Sequence, residues 1–247
     1  MTMIELAGLG KNFGALWAVK DLDLAVNAGE LFGFLGPNGA GKTTTIRLMV
    51  GLLRPTTGTA AIAGHDIQQE SLAARRSLGY LAQTPLLYDR LTGREFLRFI
   101  GGLYDLPDGE SDARARDLLA LMELDAKADD LIESYSGGMR HKIGLCAALL
   151  HRPPVLILDE PLVGMDPASS RRIKDALLGL RDGGTTIFLS THMLEIAEQL
   201  CDRVAILDHG QLIAVGTVAE LRAALTSQAG ASLESLFLQL TQTETQD

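Results

Sequence analysis

The chain has 247 residues, enough for one large domain or for a domain with a sub-domain and a sizeable core. Its 47% hydrophobic and 21% charged residues exclude wholesale disorder, and its net charge of −9 argues against a nucleic-acid or anionic-lipid partner. No apolar run approaches the ~18 residues of a membrane span, and no secretory signal opens the chain, so we expect a cytoplasmic protein. Cys146 and Cys201 lie in or near apolar helical runs, which indicates small core residues in a reducing compartment.

The predicted elements begin with a small antiparallel β region. Leu22, Leu24 and Val26 alternate with polar residues, a period of two that predicts a half-buried strand. Short β-like pieces around residues 4–6 and 60–63 complete this region.

Three later runs are apolar nearly throughout: residues 31–35, 155–158 and 185–189. This pattern is typical of parallel strands that are covered on both faces. Residues 204–207 and 212–215 are joined by a polar turn and predict a late β-hairpin.

Helical patterns fill the spaces between these strands, above all from about residue 86 to 150. A capping box at residues 92–95 opens one helix, and another helix runs from about 139 to 150. A helical tail is expected at about residues 218–247, behind a second capping box. The sequence therefore predicts one α/β domain over 1–247, a phosphate-loop (P-loop) core with a small antiparallel β sub-domain and an inserted helical sub-domain.

The most informative motif is a glycine-rich loop between a buried strand and a helix. Its residues match G-x-x-x-x-G-K-[ST] and are followed by Thr44: Gly36, Pro37, Asn38, Gly39, Ala40, Gly41, Lys42 and Thr43. Glycines let backbone N–H groups turn inward around a phosphate, and the helix N-terminus adds partial positive charge. Lys42 would reach the β- and γ-phosphates, and the Thr43 hydroxyl would ligate Mg²⁺. The motif predicts binding of a nucleoside triphosphate rather than a turn without a ligand.

The apolar run 155–158 ends in two carboxylates, Asp159 and Glu160. A buried strand that delivers Asp159 to its C-terminal edge suits a second magnesium contact, and Glu160 would then orient and polarise the attacking water. A solvated acidic turn is the alternative, which the phosphate loop upstream makes less favoured.

Ser136, Gly137 and Gly138 precede a predicted helix. A hydroxyl and backbone N–H groups at a helix start can bind an anion, although the same residues also form common flexible turns. The position of this motif between the phosphate loop and the Asp159–Glu160 strand favours a functional interpretation.

The order of these motifs along the chain resembles that of the ATP-binding subunit of an ABC transporter. The resemblance implies that Phe13 stacks on adenine, although a core phenylalanine is an equal alternative. It implies that Gln83, otherwise an ordinary residue after a strand, contacts Mg²⁺ and the water. It also implies that Asp166 communicates across a dimer, besides capping a helix, and that His192 contacts the γ-phosphate.

Two departures from the family pattern stand near the site. Tyr135 and Met139 flank the Ser-Gly-Gly motif where leucine and glutamine are usual, and Leu162 replaces a common threonine. None of these changes removes a hydroxyl, amide or carboxylate that faces phosphate. The variant motif and the tail pattern at 233–241 are similar to those of ABC-2 type exporters.

The resemblance also implies partners. It predicts a second ATP-binding subunit, as a homo- or heterodimer, and a separate transmembrane permease, with the chain peripheral on the inner face of the cell membrane. The apolar residues 86–88 are expected to dock this permease or to belong to the sub-domain core. The alternatives are an importer ATPase and a soluble non-transport ABC ATPase. The soluble ATPase is less favoured for two reasons. The chain contains a single cassette, and the spacing between Thr43 and Ser136 leaves no room for a coiled coil.

Overall fold

The computed structural model describes residues 1–225. The part of the predicted tail from residue 226 onward lies outside the described residues. The strands are β1 Thr2–Phe13, β2 Leu16–Asn27, β3 Leu31–Leu35, β4 Thr57–Ile62, β5 His65–Asp66, β6 Leu78–Leu81, β7 Val155–Asp159, β8 Thr186–Thr191, β9 Arg203–Asp208 and β10 Gln211–Gly216. The helices are α1 Lys42–Met49, α2 Ser71–Arg76, α3 Gly93–Leu103, α4 Asp108–Leu121, α5 Gly137–Leu149, α6 Pro167–Asp182, α7 Leu194–Leu200 and α8 Val218–Leu225.

Two sheets organise the described residues. A four-stranded antiparallel sheet has the order β2-β1-β4-β5, and a six-stranded sheet has the order β10-β9-β3-β8-β7-β6. In the larger sheet all pairs are parallel except β10 with β9, which form the predicted hairpin. The α/β class is thus confirmed, with a small antiparallel sheet beside a mostly parallel one.

Burial explains the contrast between the two kinds of strand. Every residue of β3, β7 and β8 is buried, as expected for parallel strands covered on both faces. In β2, by contrast, buried Leu22, Leu24 and Val26 alternate with exposed residues. One hydrophobic cluster joins this antiparallel sheet to the larger sheet through Phe32, Phe34 and Phe188, whose rings pack together.

Residues 93–149 form a helical insertion between β6 and β7. It contains α3, α4 and α5, together with short 3₁₀ turns at Asp125–Lys127 and Ile132–Ser134. The capping box at Thr92 and Glu95 is present in full and begins α3. Helix α2 is an element that the hydrophobic pattern does not predict, because only Ala74 of its six residues is buried.

The sheet order gathers the residues that follow its parallel strands. The loops after β3, β6, β7 and β8 all leave the same edge of the sheet, because the carboxyl ends of parallel strands lie together. These loops carry the phosphate loop, Gln83, Glu160 and His192. Among the helices of residues 1–225, none combines the length and the apolar composition that a bilayer crossing requires.

Candidate nucleotide-binding site

The loop between β3 and α1 has the backbone shape that a phosphate cradle requires. Gly39 and Gly41 have φ values of 86° and 103°, in the left-handed region that favours glycine. A Cβ on Gly41 would also lie 2.4 Å from the carbonyl oxygen of Ala18, so no larger residue fits there. Gly41 caps α1 without a side-chain hydrogen bond, which leaves backbone N–H groups at the helix start free to bind an anion.

Lys42 places a buried positive charge inside this loop. Its Nζ donates hydrogen bonds to the carbonyl oxygens of Gly36 and Pro37 at 2.6 and 3.1 Å. Burial lowers the pKa of Lys42, while the charges of Glu160 and Asp159 act in the opposite direction. Glu160 Oε1 lies 4.0 Å from Nζ, so the lysine links the loop to the carboxylates of β7.

Asp159 and Glu160 end β7 as two buried carboxylates. Asp159 Oδ1 accepts a hydrogen bond of 2.5 Å from the Ser190 hydroxyl of β8, and Asp159 Oδ2 is buried without a protein partner. Glu160 adopts a φ of 53°, and its Oε2 is also buried without a partner. Two such oxygens beside a lysine indicate that the site is built to receive further donors or a cation.

These residues suit magnesium better than a metal held by protein alone. In the described part of the chain, no three His, Cys, Asp or Glu side chains are grouped as a ready-made metal site. Magnesium is usually bound by one or two carboxylates together with substrate phosphates and water. The free Oδ2 of Asp159 and the Thr43 hydroxyl, both oxygen donors at one sheet edge, fit that chemistry.

His192 follows β8 and pairs directly with Glu160. Its Nδ1 lies 2.9 Å from Glu160 Oε1, while 48% of its side chain remains exposed. The ring nitrogen Nδ1 therefore contacts the carboxylate, while about half of the side chain remains accessible to solvent. The structure thus brings Glu160 and His192, two of the expected site residues, into direct contact.

A cavity of about 390 Å³ opens above the phosphate loop. Its lining includes phosphate-loop residues, Thr44, Gln83 and Glu160, together with the following residues from outside the predicted set: Leu16, Trp17, Ala18, His209 and Gly210. The structure therefore brings Gln83 to the phosphate loop, as the resemblance implies.

Phe13 lies at the end of β1 and does not belong to the cavity lining. It is 51% exposed and carries Lys11 Nζ 5.2 Å from its ring centre. The alternative that Phe13 is a core residue is therefore wrong. Its contact with adenine stays a prediction, and Trp17 is the aromatic side chain that lines the cavity in this structure.

The lining residues that sequence reasoning missed belong to two segments. Trp17 is the single tryptophan of the chain and stands close after the turn that follows Phe13, a signal that was available in the sequence. His209 and Gly210 form the turn between β9 and β10, and Gly210 N donates to Ala40 O at 2.9 Å. Their place beside the phosphate loop depends on tertiary packing, which no local pattern encodes.

Ser136, Gly137, Gly138 and Asp166 lie outside this cavity. Ser136 is exposed and caps α5, where its hydroxyl accepts a hydrogen bond from Met139 N at 3.3 Å. Asp166 caps α6 by accepting from Ser169 N at 2.9 Å, and hydrogen bonding to the side chain and then to the backbone of Ser169 lowers the pKa of its carboxyl. The helix-cap interpretation of Asp166 is thus confirmed, and its role across a dimer stays a prediction.

Comparison with known proteins identifies the family of this chain. A family model described as "ABC transporter" matches residues 19–163, more than half of the chain. The chain belongs to the ABC transporter family. Within that family it is similar to the daunorubicin/doxorubicin resistance ATP-binding protein DrrA of Streptomyces peucetius, with 43% identity over 224 residues, which are 91% of this chain and 68% of DrrA.

Solved structures of this ABC family agree in fold. The ATP-binding subunit of an ABC transporter superposes with a TM-score of 0.91 and 34% identity, covering 97% of this chain and 99% of that subunit. A dimeric ATP-binding cassette bound to ADP and Pi in a post-hydrolysis state superposes with a TM-score of 0.81 and 25% identity, covering 87% and 98% of the two chains. The family assignment carries ATP binding with it.

Proposed function

We propose that the chain is an ATP-hydrolysing subunit that powers export through a separate membrane permease. The observation that carries this proposal is the buried Glu160 carboxylate, held 2.9 Å from His192 Nδ1 and 4.0 Å from Lys42 Nζ at the edge of the phosphate-loop cavity. A carboxylate held in this way is suited to orient and polarise a water beside a γ-phosphate.

The other residues of the cavity divide the work of binding. Lys42 and the amides of the phosphate loop would hold the β- and γ-phosphates, and Trp17 adds an aromatic side chain to the cavity lining. Thr43, Asp159 and Gln83 would hold Mg²⁺, which, when bound, neutralises charge that develops on the phosphate oxygens. His192 would keep Glu160 in place and reach the γ-phosphate with its exposed side.

A second copy of the chain completes the site in this proposal. Ser136, Gly137 and Gly138 lie at an exposed helix N-terminus, and one chain carries both a phosphate loop and this signature motif. Two copies facing each other would therefore form two composite sites, with Asp166 near the contact. Closure of the pair excludes water from the nucleotide and couples binding energy to movement. The dimeric ATP-binding cassette found in comparison supports this arrangement.

An exposed apolar patch, formed by the segment after Gln83 and by residues of α3, supports docking of the permease. Leu86, Tyr88, Phe99 and Leu103 are 94%, 57%, 41% and 59% exposed. The Tyr88 ring packs edge-on to Phe99, with ring centres 5.2 Å apart, whereas the half-buried Leu87 packs against the core of the insertion. The two interpretations of residues 86–88 thus apply to different side chains. An apolar patch that leads directly to Gln83 suits a cytoplasmic segment of a membrane partner.

The direction of transport rests on the relatives and on the variant motif. DrrA is described as a drug-resistance protein, and Tyr135 and Met139 are similar to residues of ABC-2 type exporters. Export is therefore favoured over import and over a soluble ABC ATPase without a permease. The acidic net charge of −9 gives no support to a nucleic-acid partner, and the proposed location is the inner face of the cell membrane.

The Glu160→Gln variant tests the hydrolytic part of the proposal. We expect phosphate release from MgATP to fall about 10²- to 10⁴-fold, because the amide keeps the shape of the side chain but loses the carboxylate. MgATP binding, followed through Trp17 fluorescence, should persist. Glu5→Gln, at an exposed position of β1, is the matched control and should turn over normally. A Glu160→Gln variant with near wild-type turnover would show that another group activates the water.

A further inference from the structure

The residue directly before the signature serine is fixed by an internal hydrogen bond. Tyr135 is 6% exposed, and its hydroxyl donates to the backbone carbonyl of Lys127 at 2.6 Å. Burial raises the pKa of the Tyr135 phenol, so the hydroxyl remains a donor. The acceptor belongs to the 3₁₀ turn at Asp125–Lys127, on a segment separate from α5.

The first residue of α3 leaves room for this hydroxyl. A Cβ added to Gly93 would lie 2.4 Å from Tyr135 Oη, which is closer than real Cβ contacts allow. Arg94 N also donates to Ala128 O at 2.8 Å, so the start of α3 and the 3₁₀ turn are joined independently. Three segments of the insertion therefore meet at the Tyr135 hydroxyl.

The signature residues that follow have few other attachments. Ser136 is exposed, and its hydroxyl makes only the long cap bond to Met139 N among the hydrogen bonds of the described residues. A Cβ on Gly137 would meet no atom within 4 Å, and the nearest atom to a Cβ on Gly138 is the Met165 sulfur at 3.9 Å. The position of Ser136 is therefore set mainly by Tyr135 on one side and by the axis of α5 on the other.

We infer that Tyr135 is a positioning residue for the signature motif. Its hydroxyl donates to the Lys127 carbonyl in the space that Gly93 leaves open. This hydrogen bond sets where Ser136 presents its hydroxyl to the nucleotide of a facing subunit. The inference rests on the proposed function, because it takes Ser136 to act on ATP. It gives the tyrosine at this position a specific task, which leucine, the usual residue of the family, lacks a hydroxyl to perform.

Tyr135→Phe removes this one hydrogen bond and keeps the ring. The Lys127 carbonyl still accepts from Asp130 N at 3.1 Å, so the variant leaves no orphaned acceptor and should fold. We expect turnover of MgATP to fall about fivefold, the effect of one net hydrogen bond on a positioned group. The Kd of MgATP at the phosphate loop should not change. Tyr104→Phe, in the same insertion, is the matched control and should leave both quantities unchanged.

Gly93 supplies a second, independent test. Gly93→Ala should displace the tyrosine hydroxyl and lower turnover at least as much as Tyr135→Phe does. In the double variant Gly93→Ala with Tyr135→Phe the hydroxyl is gone, and the nearest remaining atom is Ala128 O at 3.3 Å. Turnover of the double variant should then match that of Tyr135→Phe alone. Gly102→Ala on α3, where a Cβ meets nothing within 4 Å, controls for glycine replacement in the helix.

Hydrogen exchange separates this inference from the proposed function. Tyr135→Phe should speed amide exchange in residues 134–140 and leave exchange in the phosphate loop unchanged. The inference would be overturned if Tyr135→Phe showed the turnover and the amide exchange of the wild type. It would also be overturned if the losses of turnover in the two single variants multiplied in the double variant. A wild-type chain that binds no ATP or never hydrolyses it would instead overturn the proposed function, and exchange would still decide whether Tyr135 fixes the motif.

Discussion

The two halves of the candidate site are built in different ways. The phosphate-loop half is buried: Lys42, Asp159 and Glu160 are 7%, 1% and 5% exposed at the edge of a parallel sheet. The signature half lies at the start of α5, outside the cavity that the phosphate loop forms; Ser136 and Gly137 are exposed and Gly138 is half-buried. Buried charges at fixed distances can hold phosphate and a cation within one chain. In the proposed function, the exposed helix start acts on a nucleotide that another chain presents.

The first prediction concerns a variant that lacks the positive charge of the buried half. Lys42→Ala should abolish measurable MgATP binding in the micromolar range, because the ammonium that pairs with the β- and γ-phosphates is gone and solvent cannot replace it inside the loop. Calorimetric titration measures the effect, with Lys20→Ala, at an exposed position of β2, as the control. An unchanged affinity would break the assignment of this half to phosphate binding.

The second prediction addresses the exposed half. Ser136→Ala should lower turnover about ten- to hundredfold, the effect of losing a hydrogen bond to a charged group, while the Kd of MgATP stays near that of the wild type. The neighbouring exposed serine provides the control variant Ser134→Ala. If Ser136→Ala weakened ATP binding as strongly as Lys42→Ala, the two halves would not be separable and the contrast would fail.

The third prediction concerns the apolar patch that is proposed to dock the permease. Tyr88→Asp should fold and bind MgATP normally, yet capture the permease from a detergent extract at least about tenfold less well, because it places a charge in the apolar patch. Leu52→Asp, at an equally exposed leucine outside the patch, should capture it normally. Normal capture by Tyr88→Asp would show that the permease docks elsewhere.

The smallest expected effect lies away from both halves. His151 stacks on Tyr104 with ring centres 3.6 Å apart, and burial lowers the pKa of His151 to about 4. The unfolded chain, with an ordinary histidine pKa near ~6.5, then binds more protons than the folded chain below that pH. The free energy of unfolding should therefore decrease as the pH falls from about 6.5 towards 4.

The variant His151→Phe should flatten this decrease. Its free energy of unfolding near pH 7.5 should differ little from its free energy of unfolding near pH 4. Urea midpoints at several pH values measure it. An equal decrease in wild type and variant would assign the acid sensitivity to other groups.

The buried half could be predicted from sequence because its signals are local. The phosphate loop, the Asp159–Glu160 strand end and His192 each follow an apolar run, and the order of parallel strands brings the ends of such runs together. Trp17 and His209 follow no such apolar run; the single tryptophan close after Phe13 was an available signal, but its distance from the phosphate loop was not. They reach the cavity through strand pairing and through a turn that packs on the phosphate loop, neither of which leaves a local pattern.

The exposed half was predicted as a motif but not as a structure. Its serine and glycines match the family pattern, whereas the fit between the Tyr135 hydroxyl and Gly93 joins residues 42 positions apart and depends on how α3 meets the 3₁₀ turn. The observed start of α5 also differs from the predicted one. The helix begins at Gly137 because the Ser136 hydroxyl caps it, two residues before the start that the apolar pattern indicated.

Mixing two impaired variants tests the central claim most directly. A pair of one Lys42→Ala chain and one Ser136→Ala chain keeps one complete site, because the first chain supplies the signature motif and the second supplies the phosphate loop. We predict that the mixture hydrolyses MgATP faster than the sum of the two variants measured alone. A mixture no faster than that sum would contradict a site shared between two copies of this chain.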